Sequence, residues 1–367
     1  MVSLLLAVTA LCGCQTLSYY AQAIKGQYQI LAHEKAIAKL LADPGTPQPL
    51  KQKLERLEAL RAFAANTLKL PVDDQYRKYA DVHRPYVVWN VEAAPEFSLQ
   101  PKSWWYPFVG SLAYRGYFTE LGAQDCARRL RRKGWDVCVG GVEAYSTLGW
   151  FKDPVLNTFI FLPDGELAET LFHELGHQRL FASGDTDFNE AFATTVGQEG
   201  ARRWLRAQNN EAAYEQYLAG LRHMTQFVHL VTDARLQLEA LYGDTRTEDG
   251  KVKATKRKHN LPPEELRRQK QRIIEHFRES YAQLKVHRGE DRQPDEWLSG
   301  PINNAKLNSV AAYYDLLPGF ERLLQQNGGD LEKFYQAAER LAKEPRKKRH
   351  SALGEKVAEG PAADRGQ

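Results

Sequence analysis

Two short motifs constrain the fold of this chain more tightly than any other feature: His173-Glu174-Leu175-Gly176-His177 and Asn189-Glu190-Ala191-Phe192-Ala193. On a helix, residues four apart differ by about 40° in azimuth and about 6 Å in height. His173 and His177 therefore point the same way and can chelate one metal ion. Glu174 lies on the neighbouring flank, where it can reach a metal-bound water without itself ligating. Glu190 stands thirteen residues beyond His177, across the polar segment Ser183-Gly184-Asp185-Thr186-Asp187. Gly184 can end a first helix and Asp187 can cap a second. If Glu190 is the third ligand, the two helices must fold back on each other. Three protein ligands leave a fourth position for water, which is the arrangement of a catalytic rather than a structural zinc site.

Each residue also has a plainer reading. Asp187-Phe188-Asn189-Glu190 is a capping-box pattern, in which Glu190 sits at N3 and needs no metal. Glu199 is a fallback ligand, but nine residues further on it faces about 180° away. Gly176 inside a helix costs about 1 kcal/mol relative to Ala, a cost that close approach of another backbone would explain.

The rest of the chain sorts by periodicity into an α+β fold: a small mixed β-sheet followed by a mostly helical region that carries the motif helix, preceded by an N-terminal helical hairpin. Residues 15–75 read as that hairpin, with Ile24, Tyr28, Leu31, Ala38 and Leu41 on one helix and Leu54, Leu57, Leu60, Ala64 and Leu68 on the next. Residues 76–165 read as the sheet, with strands at Val87–Val91, Gly110–Phe118, Trp135–Val139 and Thr158–Leu162 and a crossover helix at Ala123–Arg132. Residues 166–342 read as the helical part, with Gly243–Pro263 a loose connector. The charged tail, 343–367, reads as disordered.

Val2–Leu11 is an apolar run too short to span a bilayer, ending in Leu11-Cys12-Gly13-Cys14. It resembles a bacterial lipobox, which makes residues 1–14 a signal peptide and Cys14 the lipid-attachment site. The expected location is the cell envelope, at the periplasmic face of the outer membrane, with the lipid as the membrane contact. In that oxidising compartment Cys126 and Cys138 could form a disulfide or remain two separate thiols. With 50 Lys+Arg against 46 Asp+Glu, the charge balance gives no argument for nucleic acid.

His-Glu-x-x-His followed by Asn-Glu-Ala-Phe-Ala is similar to the gluzincin peptidases, and Asn189–Ala193 looks especially like the motif of zinc aminopeptidases. Over nearly the whole chain, Val87-Val88-Trp89-Asn90-Val91, the segment Ala144–Phe151, Asp153-Pro154-Val155, the two metal motifs and Asn303-Asn304-Ala305 resemble a bacterial family of predicted zinc aminopeptidase lipoproteins. That resemblance implies a zincin-like fold, one zinc ion held by His173, His177 and Glu190, Glu174 as general base, and a peptide substrate. It also implies a Tyr or His from outside the motif to stabilise the oxyanion; Tyr145, Tyr313 and Tyr314 are candidates. The spacing between the motifs is shorter than in the gluzincins. Thr194 stands where thermolysin-like enzymes carry an Asp that orients a ligand histidine, so Asp185 or Asp187 is expected to do that. The acidic clamp of the classical zinc aminopeptidases is absent, and nothing selects Glu96 or Glu143 in its place. An envelope endopeptidase and a non-catalytic metal-binding lipoprotein therefore stay open as alternatives, as does the oligomeric state.

Overall fold

The structure is a computed structural model and describes residues 18–106, 110–144, 152–247, 251–254, 261–286 and 297–354. In chain order the elements are α1 (residues 18–32), β1 (Glu34–Ala36), α2 (Ile37–Ala42), α3 (Gln48–Asn66), β2 (Lys78–Ala80), β3 (Val88–Pro95), β4 (Trp104–Tyr106), β5 (Gly110–Leu112), β6 (Tyr114–Tyr117), α4 (Glu120–Arg131), β7 (Trp135–Val142), β8 (Val155–Leu156), α5 (Asp164–Arg179), α6 (Thr186–Ala207), α7 (Glu211–Tyr242), β9 (Thr245–Arg246), β10 (Val252–Lys253), α8 (Pro263–Val286), α9 (Asn304–Tyr314), α10 (Leu317–Gln326), α11 (Leu331–Lys343) and α12 (Arg346–Gly354). The fold is α+β. No described helix is long and apolar enough to cross a membrane.

Helix α6 is the axis of the molecule and is buried along most of its length. Helix α5 packs along it, and α3 covers both. The apolar face expected on α3 is real: Leu54, Leu57, Leu60 and Ala64 are buried in the main core with Phe172, Phe188 and Phe192, while the helix ends at Asn66 and Leu68 joins the core from the segment beyond it. Lys53 pins the start of α5, donating to the Leu162 carbonyl at 2.7 Å and to Asp164 at 3.1 Å.

Several expectations are corrected. The N-terminal helix is interrupted: Glu34–Ala36 forms β1, pairing antiparallel with β2, and Lys35 falls at this break. Ile24 and Tyr28 are exposed rather than packed. The site-bearing sheet, in the order β6-β3-β7, is antiparallel throughout; mixed pairing occurs in a separate sheet, β1-β2-β8. Thr158–Leu162 is a turn, because the strand there ends at Leu156. The connector after Gly243 includes the short β9–β10 ladder. The charged tail expected to be disordered contains a helix, Arg346–Gly354, which buries Arg349, His350 and Leu353; residues 355–367 lie outside the described residues.

The sheet has two distinct faces. Trp89, Val91, Ala93 and Val137 pack on α4 with Cys126. Alternation turns Asn90, Glu92, Asp136 and Cys138 to the other face, where α9 lies across β3 and β7. Cys126 and Cys138 therefore sit on opposite sides of the sheet, and both are free thiols, so the possible disulfide is not formed. Asn303 and Asn304 fasten α9 in place. Asn303 caps the helix, accepting from the Lys306 N–H, and donates to the Val137 carbonyl at 3.1 Å. Asn304 donates to the carbonyls of Pro95, Glu96 and Ser98 at 2.9, 3.0 and 3.1 Å.

Candidate metal centre

His173, Glu174 and His177 lie in the last turns of α5, and Glu190 in the first turns of α6. The helices can approach closely because each presents a glycine to the other. A Cβ on Gly176 would lie 3.2 Å from Ala193 Cα, and one on Gly197 would lie 2.8 Å from the Glu169 carbonyl and 3.2 Å from His173 Cβ. The turn between them is clipped by Asn189, whose side chain accepts from the Ala182 N–H at 2.7 Å and donates to the Ala182 carbonyl at 2.9 Å. Asn189 thus has a structural task that its place in the motif did not reveal.

The outcome is a converging trio. Nε2 of His173 and Nε2 of His177 are 3.1 Å apart, and Oε2 of Glu190 lies 3.4 Å from the first and 3.5 Å from the second. An ion bound tetrahedrally at 2.0–2.1 Å separates its ligand atoms by about 3.3 Å. The three atoms therefore already stand near the edge lengths of a zinc-sized tetrahedron. Glu190 is not used as a cap, since α6 begins after Asp185 with no side-chain cap bond. Burial opposes its charge, but both histidines outweigh that and hold the carboxyl well below the usual range. Burial likewise opposes charge on His177, and Glu190 overrides it, raising the imidazole pKa. Glu199 turns away and binds Arg203 at 2.8 Å.

Glu174 is buried, and its Oε2 has no hydrogen-bond partner among the described residues. Burial raises its pKa against the opposing influence of the two histidines. A desolvated carboxylate beside a metal position, but outside the ligand trio, is suited to take a proton.

Asp185 and Asp187 do not orient His173 or His177, contrary to expectation; their partners lie on α12. Asp185, fully buried, binds Arg346, Arg349 Nε at 3.0 Å and His350 Nε2 at 2.9 Å; Asp187 binds Arg346 at 2.7 Å. Asp185, Asp187 and His350 also have metal-ligand geometry, but the two guanidiniums already supply the positive charge there. The three anchor α12 to the α5–α6 turn. Nδ1 of His177 has no partner among the described residues. Glu169, one turn before His173, accepts from Tyr217 at 2.7 Å.

Tyr313 of α9 lies against His173, with ring centroids 6.3 Å apart and planes 29° apart. The charge on Glu190, then burial, raises its pKa well above the usual value, so the phenol stays protonated. Tyr114 of β6 is held protonated by burial first and then by Glu190 and Glu174. Sequence reasoning missed Tyr114, because only the pairing of β6 with β3 brings it to the site. Tyr314 packs half-buried against a separate apolar cluster, and desolvation and then the charge on Glu169 raise its pKa. Tyr145 and Cys14 lie outside the described residues. Of the two clamp candidates, Glu96 is paired with Arg267 at 2.6 and 3.1 Å, and Glu143 is exposed beyond β7.

Residues 18–353 match the family model described as "Putative aminopeptidase". No curated protein and no solved structure matches the chain.

Proposed function

The chain belongs to the family described as "Putative aminopeptidase", and from that membership and the geometry of the trio we propose that it is a zinc-dependent peptidase of zincin-like architecture, acting at peptide N-termini. The observation that carries the zinc reading is the set of separations of 3.1, 3.4 and 3.5 Å among the ligand atoms of His173, His177 and Glu190. Two imidazoles and one carboxylate are a common donor set for catalytic zinc.

Bound zinc would polarise the scissile carbonyl and make a water acidic near neutral pH. The chain's own residues supply the rest. Glu174 accepts a proton at Oε2, which no described residue bonds, and delivers it to the leaving amine. Tyr313, protonated and stacked beside His173, donates a hydrogen bond to the developing oxyanion, with Tyr114 as a second donor. Phe172, Leu171 and Leu175 anchor the catalytic helix in the main core and fix these groups relative to one another. The same reading has Cys14 tether the mature chain to the bacterial envelope, with peptides reaching the site from the periplasm.

Glu174→Gln tests the assignment of the base. The substitution is nearly isosteric and leaves the trio intact. It should retain the zinc content of the native protein and lose about 10²- to 10⁴-fold in peptide hydrolysis. Undiminished hydrolysis would remove Glu174 from the mechanism.

A further inference from the structure

The sheet face that turns toward α9 carries a carboxylate, Glu92, that no group among the described residues neutralises. Glu92 lies in the middle of β3, opposite Tyr114 of β6 and Cys138 of β7. Its strand neighbours Val91 and Ala93 face the α4 core, so Glu92 faces the site side. Two residues back on the same face, Asn90 is flanked by Gly116 and Gly140. A Cβ on Gly140 would meet nothing within 4 Å, so the face is open beside Asn90 on the β7 side, whereas one on Gly116 would meet Val88 at 3.0 Å and Asn90 Oδ1 at 3.3 Å.

Two phenols tie Glu92 to the trio. Tyr114 and Tyr313 each feel the charges of Glu190 and Glu174 and also that of Glu92. Nearby acids are already compensated: Glu96 by Arg267, and Asp136 by Lys270 at 2.6 Å and by the Asn304 N–H at 2.9 Å. Lys306, which faces Cys138 from α9, donates instead to the Ser299 carbonyl at 2.7 Å. Among the described residues Glu92 has no hydrogen bond and no ion pair. The groups facing it, Tyr114, Cys138 and Tyr313, bring no positive charge, and burial pushes its pKa up to about 8. An uncompensated desolvated carboxylate costs stability, and such groups concentrate where a ligand supplies the missing partner.

We propose that Glu92 receives the free α-ammonium group of the peptide substrate. The assignment rests on the hydrolytic reading above and deepens it, because an ammonium held at Glu92 selects the first peptide bond. It also supplies the acidic clamp that the sequence motifs lack.

The test uses the zinc-loaded full chain and three probes: leucinamide, N-acetyl-leucinamide and N-acetyl-lysinamide, with binding read by calorimetry. Leucinamide should bind the native protein and N-acetyl-leucinamide should not. Glu92→Gln should weaken leucinamide by about tenfold or more, the scale of a lost charged hydrogen bond. Glu92→Asp should fall between the two. With unblocked peptides, Glu92→Gln should raise KM more than it lowers kcat and leave zinc content unchanged.

Glu92→Gln also has a stability readout. A carboxyl whose folded pKa is raised has no stability penalty below its unfolded pKa of about 4.3, and the penalty grows as pH rises toward about 8. The Tm of Glu92→Gln should therefore exceed that of the native protein by an increment that widens from pH 5 to pH 8. Equal leucinamide binding by native protein and Glu92→Gln would overturn the assignment. So would Glu92-dependent binding of N-acetyl-lysinamide without leucinamide, which would make the cation a side chain. If peptides are not cleaved at all, the hydrolytic reading fails on its own, and the amide-binding comparison still decides the role of Glu92.

Discussion

At the level of single residues, the convergence of His173, His177 and Glu190 depends on positions outside that trio. Gly197 is the clearest case. A methyl group there would press on the Glu169 carbonyl at 2.8 Å and on His173 Cβ at 3.2 Å, and the first of these is backbone that cannot swing away. Gly197→Ala is expected to force α5 and α6 apart by tenths of an ångström. The predicted cost is about 1–3 kcal/mol in denaturant unfolding, together with a measurable loss of zinc affinity. Unchanged stability and zinc affinity would show that the helices have slack there. His173, Glu174 and His177 were legible as neighbours on one helix because helical spacing fixes which side chains share a face, whereas Glu190, on the next helix, was legible only because the two motifs occur together. The glycine at 176 was legible as a close approach because a helix interior disfavours glycine. Glu92 and Tyr114 were not, since their place at the site depends on strand pairings that no local pattern specifies.

Among the elements, the α5–α6 turn is held from outside by α12. Asp185 is the buried centre of that contact, ringed by Arg346, Arg349 and His350. Asp185→Ala would leave Arg349 and His350 buried without their anion. The expected destabilisation is about 3–5 kcal/mol, by analogy with other buried pairs broken on one side, read as a drop in denaturation midpoint. The pH dependence has a definite sign. Burial raises the Asp185 pKa, but His350 and the two arginines outweigh it, and the net shift is downward. Its stabilising contribution is therefore full above the unfolded pKa of about 3.9 and is lost as pH falls below that value. Asp185→Ala should accordingly flatten the acid limb of the stability profile; a profile still parallel to that of the native protein would assign the acid sensitivity elsewhere. Helix α12 was illegible because its sequence, Arg346-Lys347-Lys348-Arg349-His350, reads as solvated charge until the buried acid across from it is known. Strand β1 escaped notice for a related reason: three residues paired to a distant strand leave little periodicity to detect.

Across the molecule as a whole, the antiparallel sheet is covered by α4 on one face and by α9 on the other, and the proposed chemistry collects on the α9 side. The α5–α6 pair brings His173, His177, Glu190 and Glu174, α9 brings Tyr313, and β3 with β6 brings Glu92 and Tyr114. The α+β class and the helical motif region were readable from periodicity, whereas the way α9 docks on the sheet through Asn303 and Asn304 was not. The proposed chemistry stands or falls on whether His173, His177 and Glu190 together hold one catalytic zinc ion. Zinc content measured by mass spectrometry on purified native protein and on Glu190→Ala decides the matter. One zinc per native chain is expected, with little or none in Glu190→Ala after dialysis against a mild chelator. A native protein without zinc, or full occupancy in Glu190→Ala, would contradict the zinc reading.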